Sequence, residues 1–126
     1  MKKIIHSASA PQPIGPYSQA VQAGNMLFLS GQIAIDPATG ELNTGTLESE
    51  TRQVMENIRA VLNEAGYDFT DVVKTTIFLT DMGNFQAVNE IYGTYFQGNF
   101  PARETVAAAG LPKNVNVEIS VTAVKS

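Results

Sequence analysis

The sequence contains no cysteine, which removes disulfides, thiolate nucleophiles and zinc-finger ligand spacing from consideration. Histidine is nearly absent: His6 stands alone, so metal sites built from several imidazoles and any His-x-x-x-His pair are excluded. Basic residues are few, eight against twelve acidic ones, for a net charge of −4. No Lys/Arg run is present, and sequence-independent nucleic-acid binding needs basic patches to neutralise phosphates. A nucleic-acid partner is therefore not expected. Long apolar runs are missing as well. The lysines of Met1-Lys2-Lys3-Ile4-Ile5-His6 have no apolar stretch behind them, so no signal peptide or membrane span is read, and the chain reads as cytoplasmic.

What is present describes an ordinary globule of 126 residues with a mean hydropathy of −0.03, expected to fold as one domain over 1–126. Lys2 to Ser7 can form an edge strand. Ala10-Pro11-Gln12-Pro13-Ile14-Gly15-Pro16 makes a rigid extended loop, and Tyr17 follows it, either capping the core or walling a pocket. Ser18–Ala23 and Met26–Ile35 flank the turn candidate Gly24-Asn25, which predicts a hairpin. Ser30-Gly31 interrupts the second arm, and a Gly inside a strand marks a bulge or a close approach to the backbone. Asp36-Pro37-Ala38-Thr39-Gly40 reads as a turn.

Thr46 is placed to cap a helix with Glu48 and Glu50 in its first turn, where acids favour the positive end of the dipole. Val54, Ile58, Val61, Leu62 and Ala65 share one helical face, and Gly66 supplies the stop. Val72–Leu79 is apolar and β-branched, a strand expected to be covered on two sides. Asn84 is the cap candidate for a second helix with a Phe85, Val88, Tyr92 and Tyr95 stripe, Phe96 beside it. Asn89 lies off that stripe, free to be solvated or to look into a cleft. Val115–Val124 alternates, with Val117, Ile119 and Val121 on one face and Glu118 and Ser120 on the other. Two helices covering one face of a mixed sheet make an α+β arrangement. The other face, part polar and part small apolar, suits burial against another subunit.

The chemistry concentrates after Pro101, which cannot donate to a sheet ladder, so a strand is expected to begin just beyond it. Strand alternation then turns Arg103, Thr105 and Ala107 one way and Glu104 and Val106 the other. A strand-held Arg is a permanently charged fork suited to a carboxylate or phosphate. A pairing of Arg103 with a surface acid is the alternative.

Five segments together are specific: Gly15-Pro16-Tyr17-Ser18-Gln19-Ala20, Leu29-Ser30-Gly31-Gln32, Val73-Lys74-Thr75-Thr76-Ile77-Phe78-Leu79, Phe100-Pro101-Ala102-Arg103 and Val117-Glu118-Ile119. In this order they resemble the Rid (YjgF-like) family, most closely its RidA subgroup of 2-iminobutanoate/2-iminopropanoate deaminases. The resemblance implies a chorismate-mutase-like α+β fold in a homotrimer with a central β-barrel and clefts at the subunit interfaces. It also implies hydrolysis of 2-imino acids to 2-keto acids and ammonia, with no cofactor and no metal.

Carried over residue by residue, the resemblance places the substrate carboxylate on Arg103 and a water on Glu118, helped by the strand backbone at Thr105. Tyr17, Ser30, Gly31 and Asn89 match family pocket positions. Thr105 stands where many relatives have Cys, so an essential side-chain nucleophile is not expected there. Glu104 and Ser120 depart from the family pattern and bear on substrate range. Two other functions remain open: a non-catalytic 2-keto acid or carboxylate-binding module, and an endoribonuclease, which the net charge disfavours. A chaperone-like role described in the family is not addressed by any residue.

Overall fold

The computed structural model describes every residue from Met1 to Ser126. Strands β1 (Lys2–Ile5), β2 (Ala20–Ala23) and β3 (Met26–Leu29) form an antiparallel meander, turned between β2 and β3 at Gly24-Asn25. β3 stops at Leu29, short of the expected Ile35, because Ser30-Gly31 breaks the ladder. Beyond the break only isolated bridges remain, Gln32 to Ile119 and Ile35 to Leu42.

Helix α1 (Leu47–Glu64) starts as its sequence predicts. The Thr46 hydroxyl accepts from the Ser49 amide at 3.0 Å, and the Ser49 hydroxyl accepts from the Thr46 amide, a reciprocal cap. The helix ends in a Schellman turn. Gly66, at φ +81°, donates to the Asn63 carbonyl and Tyr67 donates to that of Leu62, a left-handed geometry that favours glycine. The second helix, α2 (Phe85–Gly93), differs at its start. Asn84 makes no side-chain cap; Asp81 accepts from the Gly83 amide one turn earlier. α2 also ends before the last aromatics of its stripe. Tyr95 and Phe96 pack from the following turn, Phe96 lying 4.9 Å from Tyr92 between ring centroids.

The remaining strands are β4 (Val72–Leu79), β5 (Ala102–Ala107) and β6 (Val117–Val124). The sheet order is β1-β2-β3-β6-β4-β5, with β4 and β5 parallel and the other pairs antiparallel. Both helices lie on one face. There Val54, Met55, Ile58, Val61 and Leu62 of α1 and Val88 and Tyr92 of α2 meet Leu27, Ile77, Leu79, Val117, Ile119 and Val121 in one core. Within the chain the opposite face is open, with Phe28 and Val106 exposed at 43% and 41%. β4 is therefore covered on one side only. A register shift at Val73 hides the alternation that begins at Lys74, where Thr75, Ile77 and Leu79 turn inward and Lys74, Thr76 and Phe78 outward.

One charged residue type sits inside the core. Glu50, in the first turn of α1, is fully buried. Its carboxyl accepts from the Asn116 amide and side chain, both at 2.8 Å, and from the Val117 amide at 3.1 Å. It thereby ties the start of α1 to the start of β6 and satisfies backbone donors that would otherwise be buried unpaired. Glu50→Ala is expected to cost about 3 kcal/mol, because it orphans those donors and opens a hole. Glu50→Gln, whose amide oxygen still accepts, should cost less. A fall in the urea midpoint at unchanged slope checks both.

Candidate active site

Arg103 is the second residue of β5 and is paired with Thr75. That register turns its side chain to the helix-covered face, beside α2. Nη1 donates to Oδ1 of Asn89. The guanidinium carbon lies 5.2 Å from the Tyr92 ring centroid and 5.6 Å from that of Phe85, within cation–π range. Tyr92 is fixed in turn by its hydroxyl, which donates to Oγ1 of Thr75 at 2.9 Å. Burial pushes that hydroxyl's pKa up, against the hydrogen bond to Thr75 and the nearby Arg103 charge.

Arg103 has no acidic partner. The chain's other two arginines are spent on Glu48 and Glu56, and Lys74 and Lys125 pair with Glu104 and Asp71. Within the chain the ion-pair alternative for Arg103 is not realised, and Arg103 lines a recess of about 450 Å³. Asn89, Tyr92, Gly93, Phe100 and Pro101 complete the lining.

Thr105 follows on the same face, opposite Ile77. Its Oγ1 is the only buried side-chain polar atom without a hydrogen-bond partner. It borders Asn89, Arg103 and Val88.

Glu118 lies elsewhere. β6 pairs it with Phe78, whose other neighbour is Val106, and all three point to the open face. Its carboxyl makes no ion pair or hydrogen bond within the chain, and burial raises its pKa. Ile14, Tyr17, Ser30, Gly31, Ile33 and Pro112 surround it in a recess of about 280 Å³.

The preceding loop is held rigidly. Buried Gln19 accepts from the Ser7 amide at 2.6 Å and donates to the carbonyls of Ser7 and Pro11 at 3.1 and 2.8 Å. Ser30 donates its hydroxyl to the Ser18 carbonyl at 2.6 Å and its amide to that of Gln19. Tyr17, nearly half exposed, accepts from the Ile14 amide at its hydroxyl and so neither caps the core nor hangs free. Asn57 of α1 holds the far side, donating to the carbonyls of Ile33 and Ile35.

The expected site residues therefore fall into two groups. Arg103, Asn89 and Thr105 gather on the helix face; Tyr17, Ser30, Gly31 and Glu118 gather on the open face. Within one chain the sheet separates them. Sequence reasoning missed the ring brackets Phe85 and Tyr92, read there as core only. Their spacing from Asn89 on α2, four residues before and three after, puts Asn89 at the edge of the aromatic stripe rather than off it, and was the available signal. Of the two departures, Glu104 pairs with Lys74 at 2.7 Å on the open face, away from Arg103. Its lowered pKa comes from hydrogen bonds to Lys74 and Thr76. No three His, Asp or Glu side chains converge as a metal-ligand set. No helix is long and apolar enough to cross a membrane.

The fold and these recesses define a small α+β domain with an arginine that has no acidic partner in the chain, held beside two aromatic rings. A family model described as Endoribonuclease L-PSP matches residues 7–125. The chain is 52% identical to a RutC family protein of Pyrococcus horikoshii, covering 99% of both chains. It is 47% identical to the 2-iminobutanoate/2-iminopropanoate deaminase of Mus musculus, covering 99% of this chain and 93% of the mouse protein. A crystal structure of a Rid-family protein of Yersinia pestis superposes with a TM-score of 0.96 at 49% identity, covering 99% of this chain and all of the other. The chain belongs to the Rid (YjgF) family, and its fold is the chorismate-mutase-like α+β fold of that family.

Two outcomes test the electrostatics of the recesses. Because burial disfavours the Glu118 carboxylate, its folded-state pKa lies above the unfolded one. Its favourable contribution to folding is then complete below the unfolded value and is lost as pH rises through the folded value. Glu118→Gln, always neutral, should raise Tm at pH 7, and the gain should vanish below about pH 4. Thr105→Val removes a buried hydroxyl without a partner, so it should raise stability by about 1 kcal/mol. A calorimetric scan reads each.

Proposed function

We propose that the chain is a 2-imino acid deaminase acting on 2-iminobutanoate and 2-iminopropanoate. The observation that carries this reading is Arg103, half-buried, bracketed by two rings, positioned by Asn89 and free of any acidic partner. A guanidinium so held is a preformed receptor for the one group that all 2-imino acids share, the carboxylate. The name carried by the mouse relative supports the same reaction.

The separation of the two groups gives the reading its quaternary form. A cleft containing both Arg103 and Glu118 needs the helix-side edge of one copy set against the open face of the next. Such a contact is heterologous, and it makes a ring where its rotation closes. In a homotrimer it yields three equivalent clefts, each with Arg103, Asn89 and Thr105 from one subunit and Tyr17, Ser30, Gly31 and Glu118 from its neighbour. Exposed Phe28 and Val106 on the open face suit the burial this requires.

The chemistry is then short. Arg103 fixes the carboxylate, and a water held by Glu118 and the Thr105 backbone stands over the imine carbon. The substrate reacts as the iminium: as the oxygen–carbon bond forms, the C=N π pair moves to nitrogen, giving an amine, and Glu118 takes the water's proton. Glu118 then returns that proton to the amine nitrogen, and as the carbon–nitrogen bond breaks and ammonia leaves, the hydroxyl proton passes back to the Glu118 carboxylate and the ketone forms. A carboxyl whose pKa burial raises suits both transfers. Tyr17, Ser30 and Asn89 shape the cleft. Because imines also hydrolyse unaided, orientation and proton handling are enough.

Ammonia and keto-acid release from freshly generated 2-iminobutanoate tests the proposal. Arg103→Ala should lower kcat/KM about 100-fold or more while the fold persists. Arg103→Lys should be nearly as poor because the fork is lost. Glu118→Gln should lower kcat about 100-fold with smaller effects on binding of 2-ketobutyrate. No acceleration by the wild type, with 2-ketobutyrate still bound, would move the assignment to a carboxylate-binding module.

A further inference from the structure

Gly31 lies where β3 loses register with β6. From the Phe28–Thr122 pair to the Gln32–Ile119 bridge, the first strand advances four residues and the second three. The extra residue is a bulge, and it presses the Gly31 backbone against the side chain of Glu118. A methyl group at Gly31 would sit 2.0 Å from Oε2, 2.8 Å from Cδ and 3.0 Å from Cγ of Glu118, well inside the contact distance of non-bonded atoms. At no other glycine would an added methyl come within 3.0 Å of a neighbour.

Backbone conformation does not explain the glycine. Gly31 is outside the left-handed region that Gly24, Gly40, Gly66 and Gly98 occupy, so alanine is conformationally admissible. Nor can the backbone retreat. Ser30 is bonded to Ser18 and Gln19, and Gln32 exchanges two backbone bonds with Ile119, at 2.8 and 3.1 Å. The only group free to yield is the Glu118 side chain, which would have to leave the strand for the open recess between Tyr17 and Pro112.

We propose that Gly31 is a positioning residue: the missing side chain is the slot that holds the Glu118 carboxyl flat against the bulge. The structural part stands on the contact alone. Its consequence for turnover rests on the reading of Glu118 as the water-handling group. Gly31→Ala displaces the carboxyl from its sheltered place into the volume that water and substrate need. Arg103, on the other face, is untouched.

The test is a double-mutant cycle on the full chain, comparing wild type, Gly31→Ala, Glu118→Ala and the double variant. Gly31→Ala is expected to lower Tm by about 5 °C and to change it little when Glu118 is already alanine. The Glu118 carboxyl, followed by carbon-13 titration, should move to a lower pKa in Gly31→Ala as it gains solvent. kcat for 2-iminobutanoate should fall about 100-fold with KM changed only a few-fold. Should Gly31→Ala fail to fold, folding of the double variant supports the slot, and failure of both overturns it. Equal destabilisation in the two backgrounds, or an unchanged Glu118 titration, also overturns it. Coupling and a titration shift in a protein without imine hydrolysis would uphold the slot and remove the deaminase reading instead.

Discussion

The register of three strands governs this molecule. β4 pairs Ile77 with Ile119 on one side and Thr105 on the other, and Phe78 with Glu118 and Val106. Alternation along those strands then commits Arg103 and Thr105 to the face packed by helices and Glu118 to the face left open. A one-residue slip would exchange the faces and bury Glu118 and Ser120 under α1, which the apolar row Val117, Ile119 and Val121 prevents. The same pattern that builds the core therefore divides the chemistry. On the proposed reading, a reaction that needs both groups would be completed at a seam between copies, and turnover would depend on assembly.

Each half is held by buried polar side chains that bind irregular backbone rather than one another. Gln19 fastens the proline-rich loop that carries Tyr17, Asn57 fastens the Ile33–Ile35 segment behind Gly31, and Glu50 fastens the entry to β6 just before Glu118. Loops lack the regular ladders that satisfy strands and helices, so each buried loop group needs a partner. Here the partner also sets direction. In contrast, the groups assigned to the reaction are left unspent: Arg103 without an acid, Glu118 without a donor and Thr105 with an orphan hydroxyl. Unspent polar groups at partly buried positions are unfavourable for folding, and their concentration at two recesses is what a binding site requires.

Much of this was legible from local pattern. The α1 cap and stop, the break after Leu29, the strand after Pro101 and the alternation through Val124 all depend on near neighbours in sequence, where turn chemistry and periodicity act directly. Two of the misreadings share a cause: they depend on contacts remote in sequence. Glu50 looks like a first-turn acid serving the helix dipole, and nothing nearby announces Asn116. Val72–Leu79 reads as covered on both sides because the shift at Val73 blurs its alternation. Asn84 was the cap candidate because residue type favours it, whereas Asp81 reaches the free amide first. The pocket residues themselves came through the family resemblance. Their division between two faces could have been derived only with the β4 register known.

The distribution of positive charge separates the deaminase reading from the family's endoribonuclease description. An RNA backbone presents repeated phosphates, and binding it calls for several cations along one track. Here Lys2 and Lys3 lie on edge strand β1, Lys113 sits in the turn before β6, and Arg52, Arg59, Lys74 and Lys125 are each held by an acid. That leaves Arg103 alone in a recess, with two aromatic rings within 5.6 Å of the guanidinium carbon and Phe100 and Pro101 in the lining. One unpaired cation in a small, partly apolar recess matches one carboxylate on a short carbon chain. It offers no second phosphate a place to bind, and the net charge of −4 opposes the approach of a polyanion. The balance of charge and shape favours a small monoanionic substrate.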